Sequence, residues 1–168
     1  MSWKLDELML KHFNKKSLPK WQWFFVMTAH VFFLAITLYA LPIMYLYLNN
    51  SILAIIQITF FAISTICIGY FLKAVILRPR PHNHVTYLGK TDSSFPSSHA
   101  SVAFGLAYIL SIYLPTLTIV WIILAMLVGL GRIYIQMHYL SDVIGGIFIG
   151  LILAFITLIF ISPSLVLT

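Results

Sequence analysis

The chain has 168 residues, 61% of them apolar and only 8% charged, with a formal net charge of +6. A soluble domain of ordinary composition carries roughly 25% charged residues, so there are too few charges here to coat a water-facing globule. The positive sign does not point to nucleic acid either: Lys4, Lys11, Lys15, Lys16 and Lys20 all precede the first apolar stretch, where a basic segment meets anionic lipid head groups.

Taken in chain order, Leu5, Leu8, Met9 and Phe13 recur at helical spacing among Lys4, Asp6, Glu7, Lys11 and Lys15, the pattern of a helix lying in the membrane interface. Ser17-Leu18-Pro19 breaks it, and Trp21 and Trp23 follow as interfacial anchors. No cleavable signal is evident. The first apolar run is too long for the apolar stretch of a signal peptide. No Asp, Glu, Lys or Arg occurs from Trp21 to Leu72, from Ser93 to Gly131, or after Asp142. Such runs exceed the roughly 18 residues that mark a membrane-spanning helix. The expected spans are 21–48, 51–77, 98–115, 116–137 and 141–161, with Asn49-Asn50 as a very short turn and 78–97 as the only long polar segment. The expected fold is therefore all-α: a polytopic membrane helix bundle of about five transmembrane helices plus an N-terminal interfacial amphipathic helix. Residues 1–20 form the interfacial and basic segment, and 21–168 the transmembrane domain. Gly146 and Gly150, with Gly145 beside them, give the last span a face for close helix approach. Gly129 and Gly131 are read the same way. Cys67 is the single cysteine, read as a packing residue, and His30 is read as a hydrogen-bonded helix contact.

Five crossings gather Lys73, Arg78, Arg80, His99, Arg132, His138 and Asp142 at one end of the bundle, while the opposite face is nearly bare of polar groups. An ionisable side chain at membrane depth costs several kcal/mol unless paired or facing a cavity, so each is a functional candidate. A pocket of several cations with almost no acid suits a multiply charged anion, phosphate above all. Pro96-Ser97-Ser98-His99 opens the third span, where Ser97 or Ser98 can cap the helix and free backbone N–H groups form an oxyanion site. His138 and Asp142 are four residues apart, which on a helix puts them on one face. A carboxylate there holds one ring nitrogen and leaves the other as a nucleophile or base.

These residues resemble the three motifs of the type-2 phosphatidic acid phosphatase superfamily, KxxxxxxRP, PSGH and SRxxxxxHxxxD. Lys73 through Arg80-Pro81, Pro96-Ser97-Ser98-His99, and Arg132 through His138 to Asp142 match them in order and spacing. Ser98 stands where the family usually has Gly, and Gly131 where it usually has Ser. The resemblance implies a membrane-embedded phosphatase for a lipid phosphate or diphosphate, such as undecaprenyl diphosphate, phosphatidylglycerol phosphate, phosphatidic acid or lipid A phosphate. His138 would form a phosphohistidine, Asp142 would orient it, and His99 would protonate the leaving group and then activate water. Lys73, Arg80, Ser97, Ser98 and Arg132 would bind the phosphoryl oxygens. No cofactor is implied, and no metal ion, since fixed cations supply the charge; a metal site drawing on His82, His84, His99, His138 and Asp142 is the rival use of the histidines. Arg78 and Lys90 are candidates for a second phosphate or a head group. The implied partners are the lipid substrate and surrounding membrane lipids, with no nucleic acid and no obligatory protein. Two other classes, an anion or lipid transporter and a catalytically silent lipid-binding relative, predict polar groups on both faces or vacant catalytic positions. The family implies a multi-pass protein of the cell membrane with an extracytoplasmic site. The five N-terminal lysines argue by the positive-inside rule for the cytoplasmic side.

Overall fold

A computed structural model describes Asp6 and residues 35–81 and 93–161. The expected interfacial helix (Asp6 apart), Trp21, Trp23, His30, His82, His84 and Lys90 lie outside the described residues. A wide-wound π turn, Ala35–Ala40, runs into α1, Leu41–Leu48, with Pro42 in its first turn, where the missing N–H does no harm. Asn49 and Asn50 reverse the chain as expected. The Asn49 side-chain amide donates to the Tyr45 carbonyl at 2.8 Å, and Asn50 takes a left-handed conformation with φ 56°, which Asn tolerates better than most residues. Then come α2, Ile52–Ile76; α3, Ser98–Tyr113; a single 3₁₀ turn, Pro115–Leu117; α4, Thr118–Tyr134; and α5, Leu140–Ile161.

Every regular element among the described residues is helical, and they contain no strand. Three stretches, Ile52–Ile76, Pro115–Tyr134 and Leu140–Ile161, are long and apolar enough to cross a membrane. The 22 residues of α5 reach ~33 Å at about 1.5 Å per residue, against a hydrocarbon core of about 30 Å. The expected boundaries hold closely for α2, α3 and α5. The fourth span ends three residues early, because residues 135–139 leave the helix to form a turn.

The polarity of the bundle is inverted relative to a soluble one. Along α2, Ala54, Gln57, Ile58, Phe61, Thr65 and Gly69 face inward at helical spacing, while Ile52, Ile56, Phe60, Ile63, Tyr70 and Phe71 are exposed. A helix apolar all round belongs in lipid, and its small or polar residues mark the packed face. Gln57 is accommodated at one end only: its side-chain oxygen accepts from the Tyr113 hydroxyl across to α3, while its amide nitrogen has no partner among the described residues.

The centre is α3, which packs against α2, α4 and α5. Its buried residues include Ala100, Ser101, Ala103, Gly105 and Ala107, small enough for neighbouring backbones to come close. The glycine face of α5 meets it directly. A Cβ on Gly146 would stand 2.6 Å from the Ser97 carbonyl oxygen, and one on Gly150 would collide with the Ser101 carbonyl oxygen more severely still. Neither neighbour is a flexible side chain that could give way. Gly150→Ala is therefore expected to lower stability by about 1–3 kcal/mol through overpacking. Gly129→Ala, whose new methyl would lie 3.3 Å from a Val143 methyl, should change it by less than about 1 kcal/mol. Thermal unfolding in detergent compares the two, and equal effects would refute this account of the α3–α5 contact.

Candidate active site

The first polar stretch is delivered by the end of α2. Lys73 lies in its last turn, and Leu77 closes the helix in a left-handed conformation with φ 47°, its N–H donating to the Lys73 carbonyl. Pro79 and Pro81 then prevent helix from resuming. Residues 78–79 pair instead with 93–94: Ser94 N–H donates to the Arg78 carbonyl at 2.8 Å, Arg78 N–H to the Ser93 hydroxyl at 3.0 Å, and the Ser94 hydroxyl to the Pro79 carbonyl at 3.1 Å. The stretch that carries Arg80 is thereby tied to the stretch that leads into α3.

Ser97 occupies the N-cap position of α3 with extended backbone, φ −74° and ψ 100°. It does not cap with its side chain. Its hydroxyl is buried and has no hydrogen-bond partner among the described residues, which leaves it available to an incoming oxyanion. The Ser97 N–H donates to the Asp142 carbonyl at 3.1 Å, joining the second motif to the third. Ser98, at the position where Gly is usual, has its hydroxyl 3.2 Å from where a Cβ on Gly69 would be. A glycine in α2 thus leaves room for the extra side chain in α3.

The third stretch closes the site. After α4 the chain turns through Gln136, at φ 56°, with the Met137 and His138 N–H groups donating to the Arg132 carbonyl. Arg80 reaches this turn and donates to the Met137 carbonyl at 3.2 Å, next to His138 in sequence. His138 is 2% exposed, and its Nδ1 lies 2.7 Å from the Ser94 carbonyl oxygen. A carbonyl only accepts, so Nδ1 carries the hydrogen and Nε2 keeps its lone pair. Burial lowers the pKa of His138 to about 4, with Arg132 and Arg80 reinforcing and Asp142 opposing. The ring is thus neutral at physiological pH, with an unprotonated nitrogen to offer.

His99 draws the three motifs together. Its imidazole lies within electrostatic reach of Arg132, His138, Lys73 and Arg80, and Arg80 and Arg132 are themselves nearly buried, at 9% and 8% exposure. All eight expected site residues, from Lys73 to Asp142, fall at this one end of the bundle.

Two roles differ from the sequence reading. His138 and Asp142 do not share a helix face, because α5 begins at Leu140 and His138 lies in the turn before it. Asp142 Oδ2 is 3.8 Å from His138 Nδ1, too far for a hydrogen bond, so the Ser94 carbonyl sets the tautomer. Asp142 instead accepts from the Tyr139 N–H at 2.9 Å, one half of a capping box at the start of α5. Its other oxygen pairs with Arg78 at 2.5 Å. Arg78 accordingly serves as a counter-ion: it also pairs with Asp6 at 2.9 Å, and its guanidinium lies 4.3 Å over the Tyr139 ring. Sequence reasoning missed Ser94, whose contribution is a backbone carbonyl and leaves no signal in residue identity. Among the described residues no three of His, Cys, Asp and Glu converge as ligands for a metal ion.

The family model of the PAP2 superfamily matches residues 53–164, which contain all three motifs. The chain belongs to the PAP2 superfamily. It is 38% identical over 96 residues to phosphatidylglycerophosphatase B of Bacillus subtilis, covering 51% of this chain and 47% of that protein. Over 98 residues it is 37% identical to an undecaprenyl-diphosphatase of Sulfolobus acidocaldarius, covering 55% and 48% respectively. The chain spans about half the length of these curated relatives. In three dimensions it resembles LpxE of Aquifex aeolicus, with a TM-score of 0.73 and 26% identity over 90% of this chain and 93% of that one. It also resembles a transmembrane PAP2-type phosphatidylglycerolphosphate phosphatase from Bacillus subtilis, with a TM-score of 0.71 and 25% identity over 92% and 83%. This PAP2 chain is thus a membrane protein with the helical fold of those two solved phosphatases.

The neutral state of His138 is directly measurable. In ¹⁵N NMR of histidine-labelled protein, with His138→Asn for assignment, the Nδ1–H tautomer should persist through pH 6 and protonate only near 4. The sign for stability follows: the folded pKa lies below the ordinary 6.5, so the contribution of this buried neutral ring is complete above 6.5. It is lost as pH falls from there towards 4. An imidazole half-protonated near 6.5 would contradict both its burial and its role.

Proposed function

We propose that the protein is a metal-independent lipid phosphatase that hydrolyses a phosphomonoester or diphosphate of a membrane lipid through a phosphohistidine. The observation that carries this reading is the state of His138. Its Nδ1 is held by a backbone carbonyl, which leaves the lone pair on Nε2, and Arg80 and Arg132 lie within electrostatic reach. Nε2 attacks phosphorus and the P–O bond to the lipid breaks. The departing oxygen takes its proton from His99. Water then attacks the phosphohistidine, giving a proton to His99, and the N–P electron pair returns to Nε2 as inorganic phosphate leaves. Lys73, Arg80 and Arg132 hold the phosphoryl oxygens throughout, with the Ser97 hydroxyl and the N–H groups of Ser98 and His99 completing the cradle. Fixed cations stabilise the charge that develops in the transition state, which is the main task in phosphoryl transfer.

The names of the relatives narrow the panel to assay first: phosphatidylglycerol phosphate and undecaprenyl diphosphate, then phosphatidic acid and lipid A phosphate. Purified protein in detergent should release phosphate from at least one of them, equally with and without chelator. No release from any would sink the proposal. The site is assigned to the extracytoplasmic face of the cell membrane, on the family's pattern and against the N-terminal lysines. In a Cys67→Ser background, a cysteine placed near Lys16 should react with an impermeant reagent in intact cells, and one at Asn50 should not. The reverse pattern would assign the site to the cytoplasmic face.

A further inference from the structure

We propose that Asp6 is a positioning residue for the nucleophile, acting through Arg78 and Asp142 on the turn that carries His138. Asp6 belongs to no motif and stands 72 positions from Arg78 along the chain, yet its side chain is only 1% exposed. It is buried against the active-site end of the bundle. Oδ2 accepts from the Arg78 guanidinium at 2.9 Å and from the Ser141 hydroxyl at 2.8 Å, and Oδ1 accepts from the Ser141 N–H at 3.2 Å. A single carboxylate thus satisfies an orphan N–H in the first turn of α5 and one edge of a guanidinium.

The other edge of that guanidinium faces Asp142 and the Ser141 hydroxyl, at 2.5 and 2.8 Å, and its face lies over Tyr139. Arg78 is therefore held from three directions. Without Asp6 one edge of the fork loses its carboxylate, and a long side chain held by fewer charge-assisted bonds regains rotamer freedom. Asp142 would feel this first. Held by Arg78, its carboxylate fixes the Tyr139 N–H and lies 3.8 Å from His138 Nδ1. A shift there moves the imidazole relative to phosphorus, and misplacement of about 1 Å can cost on the order of 100-fold in rate. The Asp6 contacts described above run to Arg78 and Ser141, both beside Asp142, so the influence proposed for it is on orientation. The inference rests on the phosphatase reading given above for its kinetic consequence, but not for its geometry.

The test uses the full chain in detergent with Asp6→Asn, Asp6→Ala, Asp6→Glu and Arg78→Gln. With the best lipid phosphate from the assay panel, Asp6→Ala should lower kcat about tenfold and leave KM within about twofold. Asp6→Glu, which keeps the charge, should recover part of the loss. Asp6→Asn and Arg78→Gln together should be no worse than Arg78→Gln alone, because both break the same chain of contacts. The ¹⁵N resonance of His138 Nδ1 should move in Asp6→Asn, which keeps the side-chain size should the alanine variant unfold. Full kcat in Asp6→Ala, effects of Asp6→Asn and Arg78→Gln that simply multiply, or an unmoved His138 resonance would each overturn the inference. If the unmodified protein releases no phosphate, the phosphatase reading fails by itself. The positioning role is then decided by the resonance alone.

Discussion

Replacing His138 with asparagine is expected to lower phosphate release by at least about a thousandfold, with thermal stability nearly unchanged. Loss of a nucleophile in a hydrolase that works through a covalent intermediate costs up to about 10⁶ in kcat, and the surviving cations still bind phosphate and recover some rate. Asparagine is the informative substitution. Its amide N–H can still reach the Ser94 carbonyl that now takes the imidazole hydrogen at 2.7 Å, so the turn is not left with an orphaned buried acceptor. His99→Ala should behave differently. With a poor leaving group such as a lipid alkoxide it should lose about 10²–10⁴-fold. With a good leaving group such as p-nitrophenol the first step needs no acid, and only hydrolysis of the intermediate is slowed. Acid-labile, alkali-stable ³²P label should therefore accumulate on His99→Ala and be lost when His138→Asn is added. Label that persists without His138 would assign the attack to another residue.

The sequence disclosed this site to the extent that side-chain identity carries it. Long runs free of charge locate helices because lipid accepts no unpaired ionisable group, and α2, α3 and α5 fall within a residue or two of the expected boundaries. The gathering of Lys73, Arg80, His99, Arg132 and His138 at one end of the bundle is legible from type and spacing, since an apolar bundle rarely holds ionisable groups without a use for them, and the fold does bring them within electrostatic reach of one another. Gly146 and Gly150 were legible as a packing face, though their partner, the backbone of α3, was not. Contacts made by the backbone, or between residues far apart in the chain, remained out of sight. The Ser94 carbonyl could belong to any residue. Arg78 resembles another phosphate ligand until the fold brings Asp142 to it from 64 positions away and Asp6 from 72. The four-residue spacing of His138 and Asp142 implies a shared helix face that the turn before Leu140 removes. The start of α5 is legible to within a residue, so His138 stands before the helix, and the half capping box between Asp142 and the Tyr139 N–H takes the carboxylate that the one-face reading gives to the imidazole.

The second large effect is expected at Arg78, and on stability rather than chemistry. Arg78→Ala should destabilise the protein by about 3–5 kcal/mol, the range for removing one partner of a buried ion pair. Asp142 is fully buried and the Asp6 side chain is 1% exposed, so without the guanidinium two carboxylates lie close together out of water. Arg78 itself is 12% exposed, and the water it admits holds the loss towards the lower end of that range. Arg80 offers the contrast. It donates to the Met137 carbonyl, with no carboxylate paired to it among the contacts described above, and is proposed as a phosphate ligand, so Arg80→Ala should reduce activity strongly and stability less than Arg78→Ala. The decisive variant adds Asp142→Asn to Arg78→Ala. An asparagine at 142 still accepts from the Tyr139 N–H through its amide oxygen but no longer needs a counter-ion. The double variant should therefore be more stable than Arg78→Ala alone, even though each change separately removes a native interaction. A double variant less stable than Arg78→Ala would mean that charge burial is not what Arg78 offsets, and would return it to the set of candidate phosphate ligands.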